Sequence, residues 1–315
     1  MKKISLIIPC YNEEESLPLF YETTTKILAA LPYDYEFLLV NDGSEDGTLD
    51  IMKSLAAQDP HVTYLSFSRN FGKEAAMYAG FCNADGDYTA VMDADMQDPP
   101  SLLPEMIEIL ETGEYDSVAA RRKDRDGEGR FRSWCARKFY KLANRISDAD
   151  IMDGARDFRL MTREMVEAVL SMSEYNRFSK GIFGWVGFRT YWLSYENVER
   201  AAGTTKWSFW NLVRYAVDGI MNFSQAPLEL ASWGGILMTV FSFIMLIIII
   251  IRRLVWGDPV AGWASTICVI IFIGGIQLLC LGIMGQYVAK TYVETKGRPH
   301  YIISESNRKD IRKIG

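Results

Sequence analysis

The sequence predicts an α/β fold, a mostly parallel sheet with helices on both faces, followed by amphipathic interfacial helices and a two-helix transmembrane hairpin. Three observations carry this expectation. Over the first ~120 residues, short apolar runs alternate with helical stretches, the pattern of strands joined by helical crossovers. Polar clusters follow those strands, and near the C-terminus two long runs contain no charged residue.

The N-terminal run, residues 4–8, reads as a buried first strand, because the chain turns polar at Tyr11 and Asn12 before a signal-peptide core can form. Further strands are expected over 36–40, 62–67, 88–92 and 117–119, and helices over 14–31, 48–57, 73–83 and 101–111. In such open sheets, ligands bind outside the C-terminal ends of the strands. The polar clusters Asn12-Glu13, Asn41-Asp42-Gly43-Ser44 and Asp93-Ala94-Asp95 all follow strands, so they converge on that edge.

Residues 129–147 carry Arg130, Arg132, Arg137 and Lys138 among Phe131 and Trp134, without one acidic residue. A basic helix with aromatic residues suits anionic headgroups, although an ordinary amphipathic surface helix has the same composition. A second such stretch, residues 207–223, precedes the apolar region and is expected to lie along the membrane interface. The run 230–251 exceeds the about 20 helical residues needed to cross a ~30 Å hydrocarbon layer. A second span is expected over 263–289.

The expected organisation is a cytoplasmic catalytic part (1–206), an interfacial helix (207–228), a hairpin (229–290) and a cytoplasmic tail (291–315). Few basic residues lie in the connection and many lie in the flanking parts, which puts both termini in the cytoplasm. The glycines Gly274, Gly275, Gly282 and Gly285 offer helix packing within one protomer or between protomers of a homo-oligomer.

Composition excludes several classes. A net charge of −6 argues against a nucleic-acid binder, which needs excess cations to displace phosphate counterions. The 5 cysteines are odd in number and form no C-x-x-C pair, which fits a reducing compartment rather than a disulfide framework or zinc site. His61 and His300, the only histidines, stand in no recognisable constellation, so histidine-based nucleophilic catalysis is not expected.

The strongest chemical signal is Asp93-Ala94-Asp95-Met96-Gln97 at the end of an apolar run. Oxygen donors two residues apart emerge on one side of an extended chain and suit a hard divalent cation bridging a diphosphate. A D-x-D pair alone fits a solvated turn equally well; the neighbouring loops supply the context.

With Pro9-Cys10-Tyr11-Asn12-Glu13, Asn41 to Ser44, Asn70-Phe71-Gly72-Lys73, Asp157-Phe158-Arg159-Leu160 and the apolar hairpin, the chain resembles family 2 glycosyltransferases of the GT-A fold. More narrowly, it resembles polyprenyl-phosphate glycosyltransferases related to dolichyl-phosphate mannose synthase and bactoprenol glucosyltransferases. The resemblance implies an inverting transfer of a hexose from a nucleotide diphosphate sugar, UDP-glucose first, to undecaprenyl or another polyprenyl phosphate at the inner membrane.

It further implies that Pro9, Tyr11, Glu13 and Asp42 line the nucleoside pocket, with Asp42 accepting from the base and Lys73 nearby. Asp93 would face the ribose or diphosphate, and Asp95 and Gln97 would hold Mg2+ or Mn2+. Asp157 would lie close to the reacting sugar, as base or orienting group; the alternative is a structural pairing with Arg156 or Arg159. Arg121, Arg137, Arg200 and Lys206 are candidates for the acceptor or diphosphate phosphates, with the loop 201–205 closing over the nucleotide. Two rivals are a processive polysaccharide synthase, against which stands the missing Q-x-x-R-W motif, and a silent membrane scaffold recruiting a partner such as a lipid flippase.

Overall fold

The computed structural model describes residues 1–122, 152, 155–195, 224, 226–256 and 263–311. Its first part alternates as expected. β1 (Lys3–Cys10), β2 (Asp34–Asn41), β3 (Val62–Phe67), β4 (Tyr88–Val91) and β5 (Ser117–Arg122) are separated by α1 (Leu17–Leu28), α2 (Thr48–Gln58), α3 (Lys73–Asn83) and α4 (Leu103–Glu111). Then follow β6 (Ala155–Thr162), α5 (Arg163–Ser171), α6 (Ser179–Trp185), β7 (Thr190–Tyr195), the long helices α7 (Ala226–Trp256) and α8 (Trp263–Thr295), and β8 (Ile303–Ser306).

The described strands form one sheet in the order β7-β5-β6-β4-β1-β2-β3-β8. β1, β2, β3 and β4 run parallel, as do β5 and β7. β6 is antiparallel to both β4 and β5, and β8 is antiparallel to β3. The sheet is therefore mixed, and its parallel character is confined to two blocks.

The chain moves from β1 to β2 and β3 on one side, then crosses back to place β4 on the other side of β1. That reversal opens a crevice between the ends of β1 and β4, the usual ligand position in such sheets.

Alternation along the strands builds a core on each face. Leu6, Ile8, Phe37 and Leu39 pack with Phe20 of α1, Met52 of α2 and Met106 of α4. On the other face, Ile7 and Leu38 pack with Met77 and Phe81 of α3, Val166 of α5 and Phe183 of α6. Helix α3 lies very close to the sheet. A Cβ on Gly80 would fall 2.2 Å from Ile7 Cγ2, so only glycine permits this approach.

The stretch Asp157-Phe158-Arg159-Leu160 lies in the strand β6. Phe158 and Leu160 enter the core while Asp157 and Arg159 take the opposite face, the two-residue period of a strand. The helix begins at Arg163, where the Thr162 hydroxyl accepts from Met165 N–H.

Helices α7 and α8, of 31 and 33 residues, extend beyond the expected spans at their ends and are long and apolar enough to cross a membrane. They present bare apolar surface, with Trp233, Leu237 and Leu278 each about 70% exposed, which a soluble fold would bury. Inside the hairpin, Tyr287 Oη donates to Ser224 O at 2.7 Å. Among the described residues, a Cβ on Gly274, Gly275, Gly282 or Gly285 would meet nothing within 4 Å. The segment read as a tail contributes β8 to the catalytic sheet.

Candidate active site at the β1–β4 crevice

Three loops meet at the C-terminal ends of β1, β2 and β4, as expected. The first two are sewn together. Asn12 N–H donates to Ser44 Oγ at 3.0 Å, and Asn12 Oδ1 accepts from Glu45 N–H at 2.9 Å. Glu13 N–H donates to Thr48 Oγ1 at 2.8 Å, and Glu14 Oε2 accepts from Gly47 N–H at 2.8 Å. Asn12 takes a positive φ of 58°, a conformation asparagine tolerates better than most residues. Pro9 lies inside β1 beyond the last β1–β4 pair, Ile7↔Val91, where its missing N–H costs no ladder bond on that side. Tyr11 projects at the rim, 37% exposed.

Asp42 is buried, and its carboxylate accepts from Phe71 N–H at 2.6 Å and Gly72 N–H at 2.9 Å. Burial pushes its carboxyl above the ordinary value, and the Phe71 and Gly72 amides pull in the opposite direction. Asp42 thus buttresses the loop that launches α3. A contact to a nucleotide base would draw on lone pairs that these amides leave over.

Lys73 opens α3, where a cation opposes the helix dipole. Carboxylates explain its presence there. Lys73 Nζ donates to Asp93 Oδ2 at 2.8 Å and to Asp157 Oδ2 at 2.5 Å. Lys180 Nζ, on α6, lies 3.9 Å from Asp157 Oδ1. Desolvation acts against the charges of Lys73, Asp93 and Asp157. For Asp157 it is outweighed by Lys73, Lys180 and Arg156, which hold the carboxyl well below the ordinary carboxylate range. For Asp93, burial and the neighbouring Asp157 and Asp98 charges win over Lys73 and push the carboxyl up. The Lys73 ammonium is pushed upward by its two anions and stays charged.

Asp157 therefore pairs with Lys73, not with Arg156 or Arg159. Arg156 Nε donates instead to the buried Asp98 Oδ1 at 2.9 Å, and its Nη2 donates to Gln97 Oε1 at 3.2 Å. Tyr195 Oη also donates to Asp98 Oδ1. Arg159 is buried on β6, its guanidinium 4.6 Å from the Phe183 ring centroid, and burial lowers its pKa to about 10.

Asp95 Oδ1 accepts from Gln97 N–H at 3.1 Å around Met96, whose φ is 59°. This turn holds two hard oxygen donors at the crevice. Among the described residues no three His, Cys, Asp or Glu side chains converge as a ready-made metal cage. Such a cage is not required by Mg2+ or Mn2+ bridging a diphosphate, since these ions keep waters and take substrate oxygens as ligands. The Asp95 carboxylate and Gln97 amide oxygens are of the right chemistry, and an amide oxygen has a second lone pair beyond the one facing Arg156. The residues fit the ion.

Arg121 lies on β5 opposite Ala155, two positions from Asp157 along β6. Arg137, Arg200 and Lys206, the basic stretch 129–147, the loop 201–205 and the stretch 207–223 lie outside the described residues. Sequence reasoning missed Lys180, Glu74 and Asp98. Glu74 follows Lys73 on α3 and accepts from Ser179 N–H at 3.0 Å, which fixes the start of α6. Only Asp98, one residue past the D-x-D-x-Q run, carried a signal that could have flagged it.

Residues 5–170 match the family described as glycosyl transferase family 2. The chain belongs to that family. The match takes in β1 to β6 and with them Lys73, Asp93 and Asp157, so this family 2 chain holds its cluster inside the matched region. It is 47% identical over 304 residues to the putative glycosyltransferase CsbB of Bacillus subtilis, covering 96% of this chain and 92% of that protein. It is 44% identical over 306 residues to the SfII prophage-derived bactoprenol glucosyl transferase of Shigella flexneri, covering 97% and 99%.

A solved structure of glucosyl-3-phosphoglycerate synthase from Mycobacterium tuberculosis, in complex with Mn2+, UDP-glucose and phosphoglyceric acid, is 19% identical with a TM-score of 0.47, covering 70% of this chain and 78% of that one. Family membership and the mixed sheet agree with the GT-A fold that the motifs imply. The chain is a glycosyltransferase, and its two apolar helices associate it with a membrane.

Proposed function

We propose that this family 2 enzyme is an inverting glycosyltransferase that moves glucose from UDP-glucose to a polyprenyl phosphate, the undecaprenyl form first, at the cytoplasmic face of the inner membrane. One observation carries the reading: Lys73 ties Asp93 and Asp157 together beside the Asp95 turn, in a chain that also bears two exposed apolar helices. The likeness to bactoprenol glucosyl transferases over nearly the whole chain supports both the sugar and the lipid.

In this reading Pro9, Tyr11 and Glu13 line the nucleoside pocket and Asp42 holds its floor through the Phe71–Gly72 amides. Asp95 and Gln97 hold Mg2+ or Mn2+, which when bound neutralises charge on the departing diphosphate. An oxygen of the acceptor phosphate attacks the anomeric carbon from the face opposite the leaving group. The bond from that carbon to the donor's phosphate oxygen breaks, and its electron pair leaves with the nucleoside diphosphate.

No proton has to be removed, because a phosphate monoester with its second pKa near ~6 is already ionised at neutral pH. Asp157, held low by Lys73 and Lys180, is a poor base and serves to orient the sugar or acceptor. Arg121, Arg137, Arg200 and Lys206 are the proposed phosphate partners.

Pairing of β8 with β3 supports an even number of membrane crossings, with both termini on the catalytic side. A lipid too apolar to leave the bilayer has to meet a water-soluble donor at the interface, which gives the hairpin its purpose. The test is transfer of labelled sugar by purified protein with Mn2+, a panel of nucleotide sugars and undecaprenyl phosphate. UDP-glucose is expected to be the best donor; absence of transfer from every donor refutes the proposal. Thermal shift with UDP should show a stabilisation that disappears on chelation of the metal.

A further inference from the structure

The last turn of α8 reaches back to the catalytic part, at the loop between α5 and α6. Glu294 Oε1 accepts from Tyr175 N–H at 2.9 Å and from Asn176 N–H at 3.3 Å, while Oε2 accepts from Tyr175 N–H at 3.1 Å. Two successive amides converging on one carboxylate form a charge-assisted clamp. Three residues later Gly297 takes a φ of 54°, a left-handed turn that glycine adopts without strain. The chain then turns beneath α3, where His300 stacks on Tyr175 at 5.5 Å between ring centroids and Tyr301 stacks on Phe67 at 5.0 Å.

The clamped loop leads directly to the reacting groups. Arg177 is buried with its guanidinium 4.4 Å from the Tyr78 ring centroid, and its Nη2 donates to Val169 O at 3.3 Å, so the loop is held from below. Ser179 N–H donates to Glu74, the neighbour of Lys73 on α3. Lys180 comes next and faces Asp157. A continuous run of chain from Tyr175 to Lys180 thus joins the end of a membrane helix to the side chains that hold Asp157.

We propose that Glu294 is a positioning residue that registers the Lys73–Asp93–Asp157 cluster against the bilayer surface through the loop 175–180. The inference rests on the proposed transfer to a lipid phosphate. A soluble donor reaches the crevice from water in any orientation of the catalytic part. An acceptor whose tail is held in the bilayer presents its phosphate at one depth, and a misplacement of about 1 Å can cost about 100-fold in rate.

The test uses the full chain in lipid vesicles with two acceptors, a long-chain polyprenyl phosphate in the bilayer and a short-chain, water-soluble prenyl phosphate. Glu294→Leu is expected to lower kcat/KM for the bilayer acceptor by about tenfold or more, while the short-chain acceptor and UDP affinity change by less than about twofold. Glu294→Asp keeps the charge with a shorter reach and should show the same acceptor-selective loss in smaller measure, so the inference stays testable if the leucine variant does not fold. Equal losses on both acceptors, or no loss on either, overturn it. Failure of the unaltered protein on both acceptors would instead overturn the proposed reaction on which it rests.

Discussion

Asp93 and Asp157 face each other across the β4–β6 seam, two positions beyond the Val91↔Arg159 pair, and share the ammonium of Lys73. Two carboxylates brought this close repel, and one cation between them lets both stand at the crevice. The three groups therefore act as a unit, supplied by the start of α3, the loop after β4 and the strand β6.

Replacing Lys73 by methionine should expose that dependence. Turnover is expected to fall about 100-fold through loss of orientation at the reacting centre. Stability should fall by only about 1 kcal/mol, because Lys73 is 40% exposed and solvent screens its pairs. Single-turnover kinetics and thermal unfolding of the same preparation separate the two effects.

The low pKa of Asp157 predicts a pH signature. Its folded value lies below the ordinary 3.8, so the stabilisation it provides is fully present above pH 3.8 and is lost as pH falls through the folded value. The stability difference between the native protein and Asp157→Asn should stay constant above about pH 5 and shrink in stronger acid. Asp93, shifted upward, contributes in the opposite sense, with stabilisation present below 3.8 and lost as pH rises. The acid limb of the rate profile should then follow acceptor ionisation near ~6 and be unmoved in Asp157→Asn.

Asp98→Ala should be the most destabilising carboxylate change in the crevice. Asp98 is 1% exposed and pairs with Arg156, which in turn holds Gln97. Stranding a largely buried guanidinium costs about 3 kcal/mol. Urea unfolding followed by the tryptophan signal would measure it, and a loss below about 1 kcal/mol would contradict the pairing.

Gly43→Ala should impair nucleotide binding more than folding. Gly43 has a φ of 67°, and a Cβ there would lie 2.5 Å from the Arg69 carbonyl carbon. The strain falls on the 69–72 loop that Asp42 braces, so the affinity for UDP, measured calorimetrically, should drop about tenfold or more. An unchanged affinity would remove this loop from the pocket.

Much of this arrangement was legible in the residues. Alternating apolar runs located β1 to β5, and because strand ends in such a sheet share one rim, Asp93 and Asp95 could be placed at it. Asp157 was found through a motif, yet its strand was not, since charge alternates with bulk over only the four residues Asp157 to Leu160. Lys180 and Glu74 were invisible because their partners come from distant elements, and no local spacing marks a contact made by the fold. The β8 strand escaped notice for the same reason: four residues, two of them serine and one glutamate, have little intrinsic signal until β3 supplies a partner.

The position of β8 in the chain has a consequence for biosynthesis. A ribosome releases β1 to β7 first, then α7 and α8, and only then the strand that covers the exposed side of β3. Sheet assembly therefore cannot finish until both apolar helices have been made. A chain cut short before β8 would keep an open β3 edge, the kind of unpaired surface that invites aggregation and degradation. Completion of the fold would in this way report that both long helices have been synthesised.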